Sequence, residues 1–226
     1  MGVNEEAGQP LTDLEPDVFS SKRNVMVDLR EALVFDYDGV IADTEPLHWK
    51  SWAVLLSRHG IQLGWEEYCR IGQGVGDKQI YEHFRSRMPH ADASVFAEQI
   101  AERKRMVREL SLKKSPIAQE TAAMLRSLGN YRLGLVTSSD QADVEPVLRA
   151  AQIQDRFDAM IFGGDVPRPK PSPAPYLLIA ERLGVKTGIA FEDSEPGLES
   201  ARSAGFRTVK IERATDLSKI VKFTLK

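Results

Sequence analysis

Residues 32–46 read ALVFDYDGVIADTEP. The first four are apolar without alternation, and the fifth, Asp36, is a carboxylate. A continuous apolar run of this length reads as a strand buried on both faces, because a strand with one wet face alternates apolar with polar. Four further runs repeat the pattern: RLGLVT at 132–137, AMIF at 159–162, GIAF at 188–191 and RTVKI at 207–211. Helical patterns fall at 117–128, 144–151, 175–183 and 196–204. Strands alternating with helices predict an α/β fold with a doubly wound parallel sheet.

One interval breaks the rhythm. About a hundred residues separate the first two strands, far more than the dozen or so that one crossover needs. Most of that interval reads as helix. Phe96, Ile100, Arg103, Val107 and Leu110 recur at 4-3-4-3 spacing and predict one buried stripe. Leu47, Trp49, Trp52, Val54 and Leu55 mark another helix, with the two tryptophans expected to serve packing. The expected organisation is a polar N-terminal extension at 1–24, an α/β core at 25–45 and 115–226, and an all-helical cap inserted at 46–114.

Composition narrows the class. The chain has 226 residues, 30 Lys+Arg against 33 Asp+Glu and a net charge of -3, which argues against a sequence-blind nucleic-acid binder. No apolar run approaches the roughly 18 residues of a membrane span. Cys69 is the only cysteine, so neither an intrachain disulfide nor a cysteine-based zinc site can form. The opening MGVNEEAGQPLTDLEP lacks the basic and apolar regions of a secretory signal, and the expectation is a cytoplasmic protein. The oligomeric state is left open.

In an open parallel sheet, ligands bind beyond the carboxyl ends of the strands. Those ends carry Asp36 and Asp38 after the first strand, and Thr137, Ser138 and Ser139 after the second. Lys170 follows the third, within GGDVPRPKPSP, and Glu192 and Asp193 end the fourth. Several carboxylates at one rim repel one another unless a hard cation sits between them, which suggests Mg²⁺. A lysine and Mg²⁺ facing one point neutralise a dianionic phosphate, and the Thr137 hydroxyl can hold one of its oxygens. A carboxylate beside the phosphorus can attack it, while a second acid two residues on protonates the leaving oxygen and then activates water. Each acid also has a plainer reading as a helix N-cap or a loop carboxylate.

The ordered segments VFDYDGVIADTEP, Thr137 after an apolar strand, Lys170 in KPSPAPY, and FEDSEPGLESARSAG resemble the four motifs of the haloacid-dehalogenase-like superfamily. The resemblance runs from about 32 to 211 and is nearest the subfamily with a helical cap inserted after the first motif. That subfamily includes β-phosphoglucomutase-like and phosphoglycolate-phosphatase-like proteins, with a Rossmann-like core. It implies Asp36 as nucleophile and metal ligand, and Asp38 as acid/base with its backbone carbonyl on the metal. Thr137 and Lys170 would hold the phosphoryl group, and Glu192 and Asp193 would complete the Mg²⁺ site. The dehalogenases of the superfamily lack an acid at the position of Asp38, so the resemblance disfavours dehalogenation.

In the cap, His48 matches a histidine that gates the acid/base in β-phosphoglucomutase-like proteins. The loop Ile71-Gly72-Gln73-Gly74-Val75-Gly76-Asp77-Lys78 resembles the cap specificity loop, which makes Gly74 and Lys78 candidate substrate contacts beside Ser138 and Ser139. Mutases carry Ser-Arg where this chain has Gly76 and Asp77, and an acid there should repel a sugar bisphosphate. Lys78, next in sequence, could substitute in part, as could Arg103 or Lys104 from the later cap helix. As a run, the charges around Arg103–Arg108 read as a solvated helix face. The expected activity is a Mg²⁺-dependent phosphatase acting on a small phosphorylated metabolite through an aspartyl phosphate. The alternatives are a phosphomutase and a non-catalytic binding protein on the same scaffold.

Overall fold

The computed structural model describes residues 32–72, 76–88 and 93–226. The N-terminal extension at 1–24, and Gly74 of the loop, lie outside the described residues. Five parallel strands form one sheet: β1 (Ala32–Phe35), β2 (Arg132–Val136), β3 (Ala159–Ile161), β4 (Gly188–Glu192) and β5 (Arg207–Lys210). Their spatial order is β3-β2-β1-β4-β5. From β1 the chain builds outward to β2 and β3, and then returns to place β4 and β5 on the other side. The reversal falls between β1 and β4, and at such a switch point the crevice beyond the strand ends is open for a ligand.

Alternate residues of each strand serve opposite faces. Leu33, Phe35, Leu133, Leu135, Ile189 and Phe191 pack on one side with α5 (Gln119–Ser127), α6 (Gln141–Ala150) and α9 (Leu217–Thr224). Ala32, Val34, Val136, Ile161 and Ala190 pack on the other with α7 (Ala174–Leu183) and α8 (Glu195–Ser203). This two-sided burial is why β1, β2 and β4 read as apolar runs; β5, at the sheet edge, is exposed or half-buried along Arg207–Lys210 and departs from the expected buried strand. Phe35 and Phe191 stack across β1 and β4 with ring centroids 4.9 Å apart, just beneath the crevice.

The interval after β1 holds α1 (Glu45–Ser57), α2 (Trp65–Ile71), α3 (Asp77–Arg85) and α4 (Ala93–Lys113). They have a core of their own around Trp52, Leu55, Leu56, Tyr68, Ile80 and Phe84, with Phe96 and Ile100 of α4 against it. Trp52 is fully buried in this core and Trp49 packs against it, its Nε1 donating to Leu63 O at 3.0 Å, while Trp52 also borders the cleft between the insertion and the sheet. The chain leaves β1 and re-enters the core through adjacent segments, with the Asp43 N–H donating to Pro116 O at 3.0 Å. Among the described residues no helix is long and apolar enough to cross a membrane.

The charged run on α4 departs from the expected solvated face. Arg103 is 4% exposed, the most deeply buried member of its stripe. Lys104 and Arg108 reach the other side of the cleft and pair with Asp140 and Asp143 at the start of α6, both at 2.6 Å. The 4-3-4-3 spacing puts position 103 on the inward face whatever its side chain. Asp77 then meets the buried guanidinium with the opposite charge.

Candidate active site

The ends of β1, β2 and β4 meet at the floor of a cleft of about 550 Å³, which α1, α3 and α4 roof. Asp36 is the first residue beyond β1, and its N–H still donates to Phe191 O of β4 at 3.0 Å. The backbone ladder therefore holds this carboxylate at the switch point. Thr137 is fixed in the same way beyond β2, its N–H donating to Ile161 O at 3.0 Å. The loop after Asp36 is closed on itself by Gly39 N–H to Ala42 O and Ala42 N–H to Tyr37 O, each 2.9 Å. That closure turns Asp38 back over the floor. Gly39 has φ +72°, and a Cβ there would strike the Asp193 carboxylate, so this turn calls for glycine.

Lys170 is 7% exposed at its side chain and lies 2.9 Å from Asp36 Oδ1 and 2.6 Å from Glu192 Oε1. It also donates to Val136 O at 3.0 Å. Burial alone would lower its pKa, but the two carboxylates outweigh it and raise the ammonium above its ordinary range. Glu192 is fully buried and also accepts from Tyr176 Oη at 2.7 Å. A Cβ at Gly197 would collide with the same carboxylate, so α8 can start this close to Glu192 only with glycine there. Ser194 is the N-cap of α8, its side chain accepting from Gly197 N–H at 3.2 Å. Glu192 and Asp193 are therefore not the capping groups of α8.

Asp36, Glu192 and Asp193 each present an oxygen within 4.8 Å of the others. Burial pushes Asp36 well above the ordinary carboxylate range, and neighbouring acids add to the rise against the pull of Lys170. Burial and the Glu192 carboxylate likewise push Asp193 up to about 7. Three crowded oxygen donors with disfavoured charge are a fit for a hard divalent cation, which relieves that repulsion.

Asp38 belongs to a different set of contacts. Thr44 Oγ1 donates to its Oδ1 at 2.7 Å and Ser139 Oγ to its Oδ2 at 2.6 Å. His48 Nε2 stands 3.7 Å from Oδ1. Burial raises this carboxyl, but His48, Ser139 and Thr44 together overcome that and bring it down to about 2. His48 is held from behind, its Nδ1 lying 3.1 Å from Arg103 Nη1. Because a guanidinium only donates, that contact leaves the ring proton on Nε2, facing Asp38. Arg103 also donates to Ser51 Oγ at 3.1 Å and pairs with Asp77 at 2.5 Å.

Of the residues singled out in the sequence, Asp36, Asp38, His48, Ser138, Ser139, Lys170 and Asp193 line the cleft. Glu192 stands directly behind it, bound to Lys170. Thr137 is buried, with its Oγ1 accepting the Ser139 N–H at 3.0 Å, so it shapes the turn that presents Ser139. Lys78 lies exposed on the first turn of α3 and is not part of the lining. Sequence reasoning missed Thr44, Asp77 as the partner of Arg103, and Tyr176 as the donor to Glu192. Thr44 does stand inside the quoted first motif, six residues from Asp38, which was the available signal.

The profile of the Haloacid dehalogenase-like hydrolase family matches residues 33–211. The chain belongs to that family. A curated relative, the phosphorylated carbohydrates phosphatase of Thermotoga maritima, is 33% identical over 182 residues, spanning 79% of this chain and 83% of that protein. Fructose-1-phosphate phosphatase YqaB of Escherichia coli is 28% identical over 181 residues, spanning 79% and 95%. The crystal structure of CbbY from Rhodobacter sphaeroides in complex with phosphate superposes with a TM-score of 0.66 at 26% identity, covering 80% of this chain and 85% of that one. The fold of this haloacid dehalogenase-like hydrolase is thus a Rossmann-like core with a helical cap, and the chain is an enzyme of the phosphatase type.

Proposed function

We propose that this chain is a Mg²⁺-dependent phosphatase of small phosphorylated sugars that works through an aspartyl phosphate on Asp36. The observation that carries the reading is one carboxylate, Asp36, held at the switch point 2.9 Å from a buried lysine. A second carboxylate, Asp38, is directed by its own hydrogen bonds over the same floor. The names of the two curated relatives support a phosphorylated carbohydrate as substrate. Asp36, Glu192 and Asp193 would hold the ion, with the Asp38 carbonyl as a further ligand. When bound, that ion supplies neutralising charge for the phosphoryl oxygens.

Asp36 Oδ attacks phosphorus, forming an acyl–O–P bond as the bond from phosphorus to the sugar oxygen breaks. Asp38 in its acid form gives its proton to that leaving oxygen. Water then attacks the same phosphorus, losing a proton to the Asp38 carboxylate, and inorganic phosphate leaves with the Asp36 carboxylate restored. Lys170 neutralises phosphoryl charge throughout, and Ser138 and Ser139 stand beside the transferred group. α1, α3 and α4 roof the floor and keep bulk water from the first transfer.

The deciding measurement is phosphate release from a panel of sugar monophosphates, with Mg²⁺ and with EDTA, for the natural chain and for Asp36→Asn. We expect metal-dependent release that falls by about a thousandfold or more in Asp36→Asn, since no nucleophile remains. Release that survives the substitution overturns the mechanism. Isomerised sugar phosphate in place of free phosphate would establish the phosphomutase instead.

A further inference from the structure

We propose that the cap wall of the cleft is charge-compensated by Asp77, and that this restricts the enzyme to substrates bearing a single phosphate. The inference rests on the phosphatase reading above and deepens it by naming the substrate class.

Four cationic side chains line the cleft among the described residues, against seven carboxylates. Each of the four has a carboxylate partner. Lys170 serves the floor, between Asp36 and Glu192. Lys104 and Arg108 are held by Asp140 and Asp143 of α6. Arg103 is the cation deepest in the cap, and Asp77 pairs with it at 2.5 Å. Its other contacts are the His48 ring, Ser51 and the face of Trp52, whose centroid lies 5.3 Å away. The Arg103 side chain is 4% exposed, and such a charge keeps its partner because separating the pair would strand it in a poorly solvated site.

A second phosphate on the far end of a sugar would therefore meet a carboxylate beside an already neutralised guanidinium. Among the described residues, the cluster of three acids that could take up a cation to offset an anion lies on the floor, not on the cap wall. Specificity of this kind comes from repulsion built against the wrong ligand as much as from attraction to the right one. What the wall does offer is hydrogen bonding suited to sugar hydroxyls. Asp77 is 24% exposed at its side chain, and Tyr68 Oη donates to Glu45 Oε2 at 2.7 Å on the same side of the cleft.

The test is calorimetric binding of fructose 1-phosphate and fructose 1,6-bisphosphate in Mg²⁺, on an Asp36→Asn background that does not turn them over. The background should bind the monophosphate about tenfold or more tightly than the bisphosphate. Adding Asp77→Asn should tighten the bisphosphate by about tenfold while moving the monophosphate less than about threefold. Adding Arg103→Met to that variant should remove the gain, because the unmasked guanidinium is its source. Asp77→Ser replaces Asp77→Asn if the latter does not fold. Equal affinity for the two sugars in the background, or no selective gain in either Asp77 variant, overturns the proposal. A bisphosphate that is merely too large would gain nothing from Asp77→Asn, so the rescue separates charge from size. Failure of the natural chain to release phosphate from any monophosphate overturns the phosphatase reading, while the titration still decides the wall. Binding of neither sugar overturns both.

Discussion

Two aspartates separated by one residue behave as opposites here because their surroundings differ. Asp36 is packed against Lys170 and two further acids, and burial pushes its carboxyl up. Asp38 collects hydrogen bonds from Thr44 and Ser139, which with His48 bring it down to about 2 despite burial. In this state Asp38 is ionised and ready to accept a proton from water; to protonate a leaving oxygen it must first take one up. Gly39 sets the geometry of both neighbours, and its φ of +72° leaves no room for a Cβ against Asp193. Gly39→Ala should therefore cost about 1–3 kcal/mol of stability and weaken Mg²⁺ binding by about tenfold or more. Thermal melts and a Mg²⁺ titration check the two effects separately. Loss of stability without loss of metal affinity would show that Asp193 shifts aside without leaving the cluster.

At the scale of elements, the strands were legible because a sheet covered on both faces tolerates no polar interruption, and ALVF and GIAF contain none. Their polar ends were legible for the same reason, as Asp36 and Thr137 interrupt the apolar runs where the ladder stops. The helices of the insertion were harder to read. Arg103 sits at an inward position of α4, but a lone arginine among other charges looks like solvated surface. Its buried charge is compensated by Asp77, which only the tertiary fold brings near. Lys78 next to Asp77 looked equally able to reach substrate, yet α3 turns it outward. The pairs Lys104–Asp140 and Arg108–Asp143 tie α4 to α6 across the cleft. They are half exposed and screened by salt, so replacing both lysine and arginine by alanine should cost no more than about 2 kcal/mol of stability. The effect on turnover should be larger in kind. KM should rise, and should respond less to added NaCl than in the natural chain. A KM unchanged by the double substitution would mean that these pairs do not hold the roof over the floor.

For the whole molecule, the acidic cluster makes stability depend on pH in a direction opposite to ordinary acid denaturation. Asp36 and Asp193 have raised values, so the folded chain holds protons that the unfolded chain has already lost. Stability without metal is then greatest at low pH within this range and falls as pH rises from about 4 through about 7. The lowered Asp38 works the other way, but its window lies below about 4 and does not enter this range. Melting temperature in EDTA should thus fall between about pH 5 and pH 8. Mg²⁺ should restore it, and by more at the higher pH, because a cation replaces the lost protons. A melting temperature that rises with pH in EDTA would contradict the crowding of these acids. The link from Asp43 N–H to Pro116 O has a consequence on a longer timescale. Because the insertion departs and returns at neighbouring points, the core experiences it as a loop, and loops tolerate replacement where the elements beneath them do not. Recombination at that junction can graft a foreign roof onto an unaltered nucleophile, so a lineage of such enzymes can change its diet without relearning its chemistry.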